Sequence, residues 1–217
     1  MFEDLSFEEQ RKLLVKSMTA NNALKSESIK NAFLKVRRER FVLKNYLNSA
    51  YIDEALPLIS GQTISQPSTI SVMLELLEVK KGMKVLEVGS GCGYVLALLR
   101  ELAGREGKVF GIELLKELFK LSKKNLKKSG VVGVKVFNSD GNKGLVKEKP
   151  FDRILISAAC TFVPNPLTDQ LKEGGILVVP VGNKFQQTMT VYKKVKGKIV
   201  EDSFKDSAFC FVPLKQV

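Results

Sequence analysis

Hydrophobic positions along the chain change rhythm twice. In the first stretch Leu13, Leu14 and Met18 recur at helical spacing behind Ser6 and Glu9, a pair that has the form of a capping box. A second helix is predicted from about Ser26, with Ile29, Phe33 and Val36 along one side, ending in the charged cluster Arg37-Arg38-Glu39-Arg40. Over residues 55–68 the periodicity gives way to Pro, Gly, Ser and Thr, which predicts a long ordered loop. Loops of that length are more often functional than connecting. A further helix is predicted from near Thr69.

From Met83 onward the pattern becomes strand, turn, helix. Apolar runs at 84–88, 109–112, 134–137, 154–156 and 176–181 alternate with helical segments near 95–103, 116–128 and 166–171. This alternation predicts an α/β fold, a mainly parallel sheet with helices on both faces. After Val181 come β-rich segments at 189–195, 199–204 and 208–214, joined by turns such as Lys196-Gly197-Lys198, which predict antiparallel strands at one edge. No internal repeat or linker interrupts the 217 residues, a length that suits one domain. Within it, 1–68 form helices and a loop, 69–182 the α/β core and 183–217 a β segment.

Composition removes several chemistries. The chain has no histidine, which excludes Ser-His-Asp and Cys-His catalysis and histidine-ligated zinc. Its three cysteines, Cys92, Cys160 and Cys210, are widely spaced and form no C-x-x-C pair. Neither a disulfide framework nor a metal site is expected, and a reducing cytoplasm is the natural setting. The start Met1-Phe2-Glu3-Asp4-Leu5 lacks the basic residues and apolar run of a signal peptide, and no stretch reaches the ~20 apolar residues of a membrane span. The net charge of +12 raises the question of nucleic acid. Six lysines, Lys116, Lys120, Lys123, Lys124, Lys127 and Lys128, however, share one segment with Leu114, Leu115, Leu118, Phe119, Leu121 and Leu126. That is the solvated side of an amphipathic helix, so no nucleic-acid partner and no membrane are expected.

The strongest chemical signal is Val85-Leu86-Glu87-Val88-Gly89-Ser90-Gly91-Cys92-Gly93-Tyr94. A strand runs into a glycine-rich turn and then a helix, so backbone can approach a ligand and the helix N-terminus offers unpaired N–H groups to an anion. The pattern is G-x-G-x-G, with Tyr94 where a dinucleotide fingerprint needs its third glycine. S-adenosylmethionine, which has a carboxylate and a ribose but no pyrophosphate, suits the shorter turn. Glu113 follows Gly93 by 20 residues at the end of the second strand, where a carboxylate can accept from both ribose hydroxyls. Asp140, in Asn138-Ser139-Asp140-Gly141, ends the third strand and can accept from an adenine amino group. Either acid alone would more often be a turn or cap residue. Together with the turn they mark three successive strand ends, the crevice where open α/β sheets bind ligands.

These residues, with others, resemble the protein-L-isoaspartate (D-aspartate) O-methyltransferase family of class I S-adenosylmethionine-dependent methyltransferases. The resemblance begins at Arg40-Phe41-Val42, Ala55-Leu56-Pro57-Leu58 and Gly61-Gln62-Thr63-Ile64-Ser65-Gln66-Pro67. It continues through the glycine turn, Ser139-Asp140-Gly141, Pro150-Phe151-Asp152-Arg153-Ile154, Gln170-Leu171-Lys172-Glu173-Gly174-Gly175, Val179-Pro180-Val181-Gly182 and Phe211-Val212-Pro213-Leu214. It implies a Rossmann-like three-layer sandwich. It also implies that S-adenosyl-L-methionine contacts Thr63, Gly89, Ser90, Gly91, Glu113, Asp140 and Gly141. Ile64, Ser65, Ser68 and Val212 would meet the substrate, an isoaspartyl-containing protein or peptide, with Ser65 as the active-site hydroxyl. Without the resemblance, Thr63 and Ser65 read as loop residues capping the following helix. Three departures stand out: Ser68 where members often carry an aromatic or imidazole ring, Cys210 where they often carry Arg, and Ile59 or Ser60 where a glycine is common. Two other functions fit parts of the pattern. One is a tRNA-directed methyltransferase, against which Ser157-Ala158-Ala159-Cys160-Thr161 follows the fourth strand in place of a base-reading motif. The other is a cofactor- and peptide-binding module that has lost catalysis.

Overall fold

The computed structural model describes residues 5–183 and 185–214, and the backbone alone for 203–208. At its start the capping box is complete: the Ser6 hydroxyl accepts from the Glu9 N–H while the Glu9 carboxylate accepts from the Ser6 N–H at 2.9 Å. It opens α1 (Phe7–Ala20), which buries Leu14, Val15 and Met18. Leu13 falls on the outer side at 44% exposure, so the buried stripe lies one residue later than the sequence pattern predicts. α2 (Glu27–Lys35) buries Ile29, Ala32 and Phe33, and Val36 is the buried residue just past its end. The basic cluster that follows is a short 3-10 turn, Arg38–Arg40, and Arg38 is wholly buried rather than solvated.

Residues 55–68 hold more regular structure than their composition suggests. β1 (Leu56–Pro57) and β2 (Thr63–Ile64) pair antiparallel, Leu56 opposite Ile64, around a 3-10 turn at Ile59–Gly61. Ser60 sits in that turn at φ +59°, a left-handed conformation that explains why glycine suits this place. α3 (Pro67–Leu77) then starts two residues before Thr69, because proline's fixed φ and missing N–H fit the first helical position.

The sheet consists of β3 (Lys84–Val88), β4 (Lys108–Glu113), β5 (Val134–Asn138), β6 (Phe151–Ile156), β7 (Leu171–Gly182), β8 (Gln187–Val195) and β9 (Lys198–Phe209). Their spatial order is β5-β4-β3-β6-β7-β8-β9. The first five are parallel; β8 runs against β7 and β9 against β8. α4 (Tyr94–Ala103), α5 (Lys116–Lys128) and α6 (Asn165–Asp169) connect the parallel strands. The α/β architecture and its antiparallel edge follow the sequence pattern, with two corrections. The helix expected over 166–171 ends at Asp169, since Leu171 already pairs with Phe151 in the sheet. The segment expected as a strand at 208–214 leaves the sheet after Phe209.

One face of the sheet carries α1 to α5, packed over Val85, Val109, Leu155 and Val178. The other carries Leu86, Phe110, Ile154 and Leu177, covered by Leu167 of α6 and by connecting turns. The sandwich has three layers, but its second helical layer is thin. Each fully buried leucine in these clusters is worth roughly 1.5–3 kcal/mol of transfer free energy. On α5, Leu118 and Leu126 are buried, Phe119 and Leu121 are half-buried, and all six lysines are exposed. Among the described residues no helix is long and apolar enough to cross a membrane.

Candidate active site

The sheet order reverses between β3 and β6, and the cleft lies at the carboxyl ends of these strands. It is lined by Thr63, Gly89, Gly91, Glu113, Gly141 and Val212, with Ile112, Leu114, Leu115 and Leu118 as an apolar wall. The glycine turn hangs from the end of β4. Gly89 and Ser90 donate their N–H groups to Ile112 O at 2.9 and 3.0 Å, Gly91 donates to Glu113 Oε2 at 2.8 Å, and Gly93 donates to Ser90 O at 2.9 Å. This corrects the expectation of free N–H donors for an anion, since most of the turn's donors are engaged within the chain. What the turn offers is close approach: Gly89, Gly91 and Gly93 all have positive φ, and nothing lies within 4 Å of where a Gly91 Cβ would stand.

Glu113 is 6% exposed, and its other oxygen accepts from the Leu115 N–H at 2.9 Å. Each carboxylate oxygen keeps a second lone-pair direction toward the cleft. Asn138, at the end of β5, donates to Glu113 O and Leu114 O at 2.8 and 2.9 Å, which fixes the chain as it leaves β4. Asp140 Oδ1 accepts from the Asn142 N–H at 2.9 Å and caps the 3-10 turn that Gly141 opens. Gly141 lines the cleft; a Cβ there would stand 2.4 Å from Val88 Cγ1.

A second cavity adjoins the first. Ser65, Gln66, Phe209, Cys210 and Phe211 line it, and Thr63, Ser157 and Val212 belong to both cavities. Among the described residues no charged side chain lines it. Its outer wall is the segment that leaves β9. Phe211 donates its N–H to Gln187 Oε1 at 2.7 Å, Ala159 donates to Val212 O at 2.8 Å, and Leu214 donates to Ala159 O at 2.8 Å. These bonds carry Val212 across the strand ends to face Thr63.

Four residues expected at the site stand outside both linings. Ser90 is buried beneath the turn at 4% exposure, and Asp140 lies beside Gly141. Ile64 turns its side chain into the main core. Ser68 is half-buried on α3, and its N–H goes to Asp53 Oδ1 at 2.8 Å. Thr63 and Ser65 do not cap α3, because Gln66 holds the capping position and Asp53 supplies the bond.

Sequence reasoning missed three supporting features. Glu87 is 1% exposed, and burial, joined by the nearby Glu113 carboxylate, pushes its carboxyl up to about 8. Its Oε1 bonds the Ser157 hydroxyl at 2.8 Å, so a neutral carboxyl stands beneath the junction of the two cavities at pH 7. On α5, Asn125 Nδ2 donates to Cys92 O at 3.1 Å, and Ser122 lies where a Gly93 Cβ would approach within 3.3 Å. Their sequence signal was a pair of polar residues on the same stripe as Leu118 and Leu126. Arg38 gave no signal, since nothing separates it in sequence from the exposed Arg37 beside it.

Known proteins resemble this chain in sequence and in fold. The chain is 40% identical over 216 residues to a protein-L-isoaspartate O-methyltransferase of Pyrococcus horikoshii, covering 99% of this chain and 96% of that one. It is 42% identical over 205 residues to one of Pyrobaculum arsenaticum, covering 94% and 99%. A solved protein-L-isoaspartate O-methyltransferase superposes with a TM-score of 0.86 at 30% identity, over 95% of this chain and 66% of that one. A candidate enzyme of the same kind from Plasmodium falciparum, crystallised in complex with S-adenosyl-L-homocysteine, gives 0.84 at 26% identity over 94% and 98%. The model of the protein-L-isoaspartate(D-aspartate) O-methyltransferase family matches residues 9–217, and the chain belongs to that family.

Proposed function

We infer that this protein transfers a methyl group from S-adenosyl-L-methionine to the α-carboxylate of isoaspartyl residues in damaged proteins. The observation that carries the reading is the meeting of two cavities at Thr63, Ser157 and Val212, one with an acidic strand end and a glycine turn, the other uncharged. The residues present fit the cofactor. Glu113 presents carboxylate oxygens to a ribose, the apolar wall of Ile112, Leu114, Leu115 and Leu118 suits a purine, and Gly91 leaves room for close backbone contact, with Gly89 and Gly141 beside it in the same lining. Thr63 closes the cleft from the loop side, Ser90 supports the turn from below, and Asp140, next to the lining residue Gly141, is the candidate acceptor for an adenine amino group.

When bound, the cofactor supplies an electrophilic methyl on a sulfonium. The chain's task is positioning. A free α-carboxylate has a pKa near ~3.5 and is an ionised nucleophile at neutral pH, so no general base is required and the lack of histidine costs nothing. An uncharged pocket leaves that carboxylate poorly solvated and reactive toward a cation. Ser65 lines the pocket, and among the described residues no hydrogen bond engages its hydroxyl, so it is free to orient the carboxylate. Val212 forms a wall of this space, Ile64 anchors the loop in the core beneath it, and Ser68 anchors the helix behind it. Alignment of this kind can supply up to roughly 7–11 kcal/mol. The methyl ester then collapses to a succinimide without further help, and hydrolysis returns part of it to normal aspartate.

Ser65→Ala tests the assignment. The variant is expected to bind S-adenosyl-L-homocysteine as the parent does and to lose about 100-fold in kcat. Unchanged turnover removes Ser65 from the mechanism.

A further inference from the structure

The loop that carries Thr63 and Ser65 runs into a helix that lacks a cap of its own. Gln66 occupies the capping position of α3, but its side chain takes only the Thr69 hydroxyl, at 3.5 Å, and no backbone N–H of the helix, and Pro67 has no N–H. The next N–H belongs to Ser68, and Asp53 accepts it from outside the helix. A carboxylate at that place satisfies the donor and meets the positive end of the helix.

Asp53 is itself held. The turn around it presents two carbonyls to Arg38, whose Nε donates to Ala50 O at 3.0 Å and whose Nη2 donates to Glu54 O at 3.4 Å. Arg38 is wholly buried, and its guanidinium lies 5.1 Å from the centre of the Tyr94 ring. Tyr94 is the first residue of α4, directly after the glycine turn. A continuous path therefore runs from the cofactor turn through Tyr94 and Arg38 to Asp53, and from Asp53 to the end of the reactive loop. The loop's other end is fixed by the pairing of Ile64 with Leu56. A buried guanidinium is costly to desolvate, and among the described residues Arg38 Nη1 has no hydrogen-bond partner, so packing alone is a weak reason for an arginine here.

We propose that Asp53, held by Arg38, is a positioning residue that sets Ser65 against the cofactor cleft, while Thr63 is held by its pairing with Pro57. The proposal rests on the carboxyl-methylation reading above. It separates the fixing of the substrate loop from the binding of cofactor, because neither Asp53 nor Arg38 lines either cavity.

The test uses Asp53→Ala and Asp53→Asn in the full chain, with three readouts: hydrogen exchange of the amides of residues 63–70, S-adenosyl-L-homocysteine affinity by calorimetry, and kcat and KM on an isoaspartyl peptide. Asp53→Ala should lose amide protection over that segment alone, keep affinity within about 3-fold, and lose kcat by about 100-fold. Asp53→Asn keeps an oxygen acceptor for Ser68 and should restore protection and most of kcat. If Asp53→Ala does not fold, Arg38→Lys carries the test, since one ammonium cannot hold both carbonyls in the same geometry. It should loosen the same amides and lower kcat with cofactor affinity kept. Retained protection and kcat in a folded variant overturn the proposal. So does a loss of protection spread over the whole chain with affinity and kcat falling together, which makes Asp53 only a brace for the fold. Failure of the parent chain to methylate isoaspartyl peptides refutes the reaction instead, and the exchange and affinity measurements still decide whether Asp53 fixes the loop.

Discussion

Glu87 puts an ionisable carboxyl in the central strand of the sheet, where water does not reach it. Burial is the larger cause of its raised titration, the Glu113 charge adds to it, and the Ser157 bond opposes both. The sign of the linkage follows. An unfolded glutamate titrates near 4.5 and the folded one near 8, so between these values the folded state holds a proton that the unfolded state has released. Stability therefore falls as pH rises through that window and levels off above it. Glu87→Gln removes the linkage, and its thermal midpoint should gain on the parent's steadily from pH 5 to pH 8. Parallel profiles for the two proteins would show that Glu87 does not titrate in this window. At this scale the sequence is unevenly legible. Glu113 was readable because a strand, a turn and a helix fix its distance from Gly93. Glu87 was visible as a charge inside an apolar run, but its partner Ser157 lies 70 residues away and only the fold unites them.

The glycine turn and α5 act as one element. Gly93 has φ +87°, and a Cβ there would meet Leu126 Cγ at 3.2 Å and Ser122 Cβ at 3.3 Å. Gly93→Ala must either push α5 away or distort the turn, in addition to the ~1–2 kcal/mol of an alanine held in a left-handed conformation. Cofactor affinity, measured by calorimetry, should drop about tenfold or more, as about 1.4 kcal/mol of lost binding implies. An unchanged affinity would mean that the turn tolerates a side chain and that its glycines are not what admits the ligand. The parallel strands and the lysine-coated α5 were legible because both follow a simple period. β1 and β2 were not, since two residues per strand show no period at all. Alternation in Phe211-Val212-Pro213-Leu214 reads as a strand, yet Gln187 takes the Phe211 N–H and the segment crosses to Ala159 instead.

Across the whole molecule the charge of +12 lies outside the chemistry. Among the described residues no charged side chain lines the second cavity, while the lysines of α5 face solvent. Their expected contribution is a long-range field that gathers anionic substrate and is screened by salt over about 10 Å at moderate ionic strength. Raising the salt should lower kcat/KM for an acidic isoaspartyl peptide and leave kcat unchanged. An equal effect on a neutral peptide would contradict steering. The reaction itself is tested most directly by labelled methyl transfer to two peptides that differ only in one isoaspartyl or aspartyl residue. The predicted result is base-labile label on the isoaspartyl peptide alone; equal label on both, or label on neither, would contradict the account.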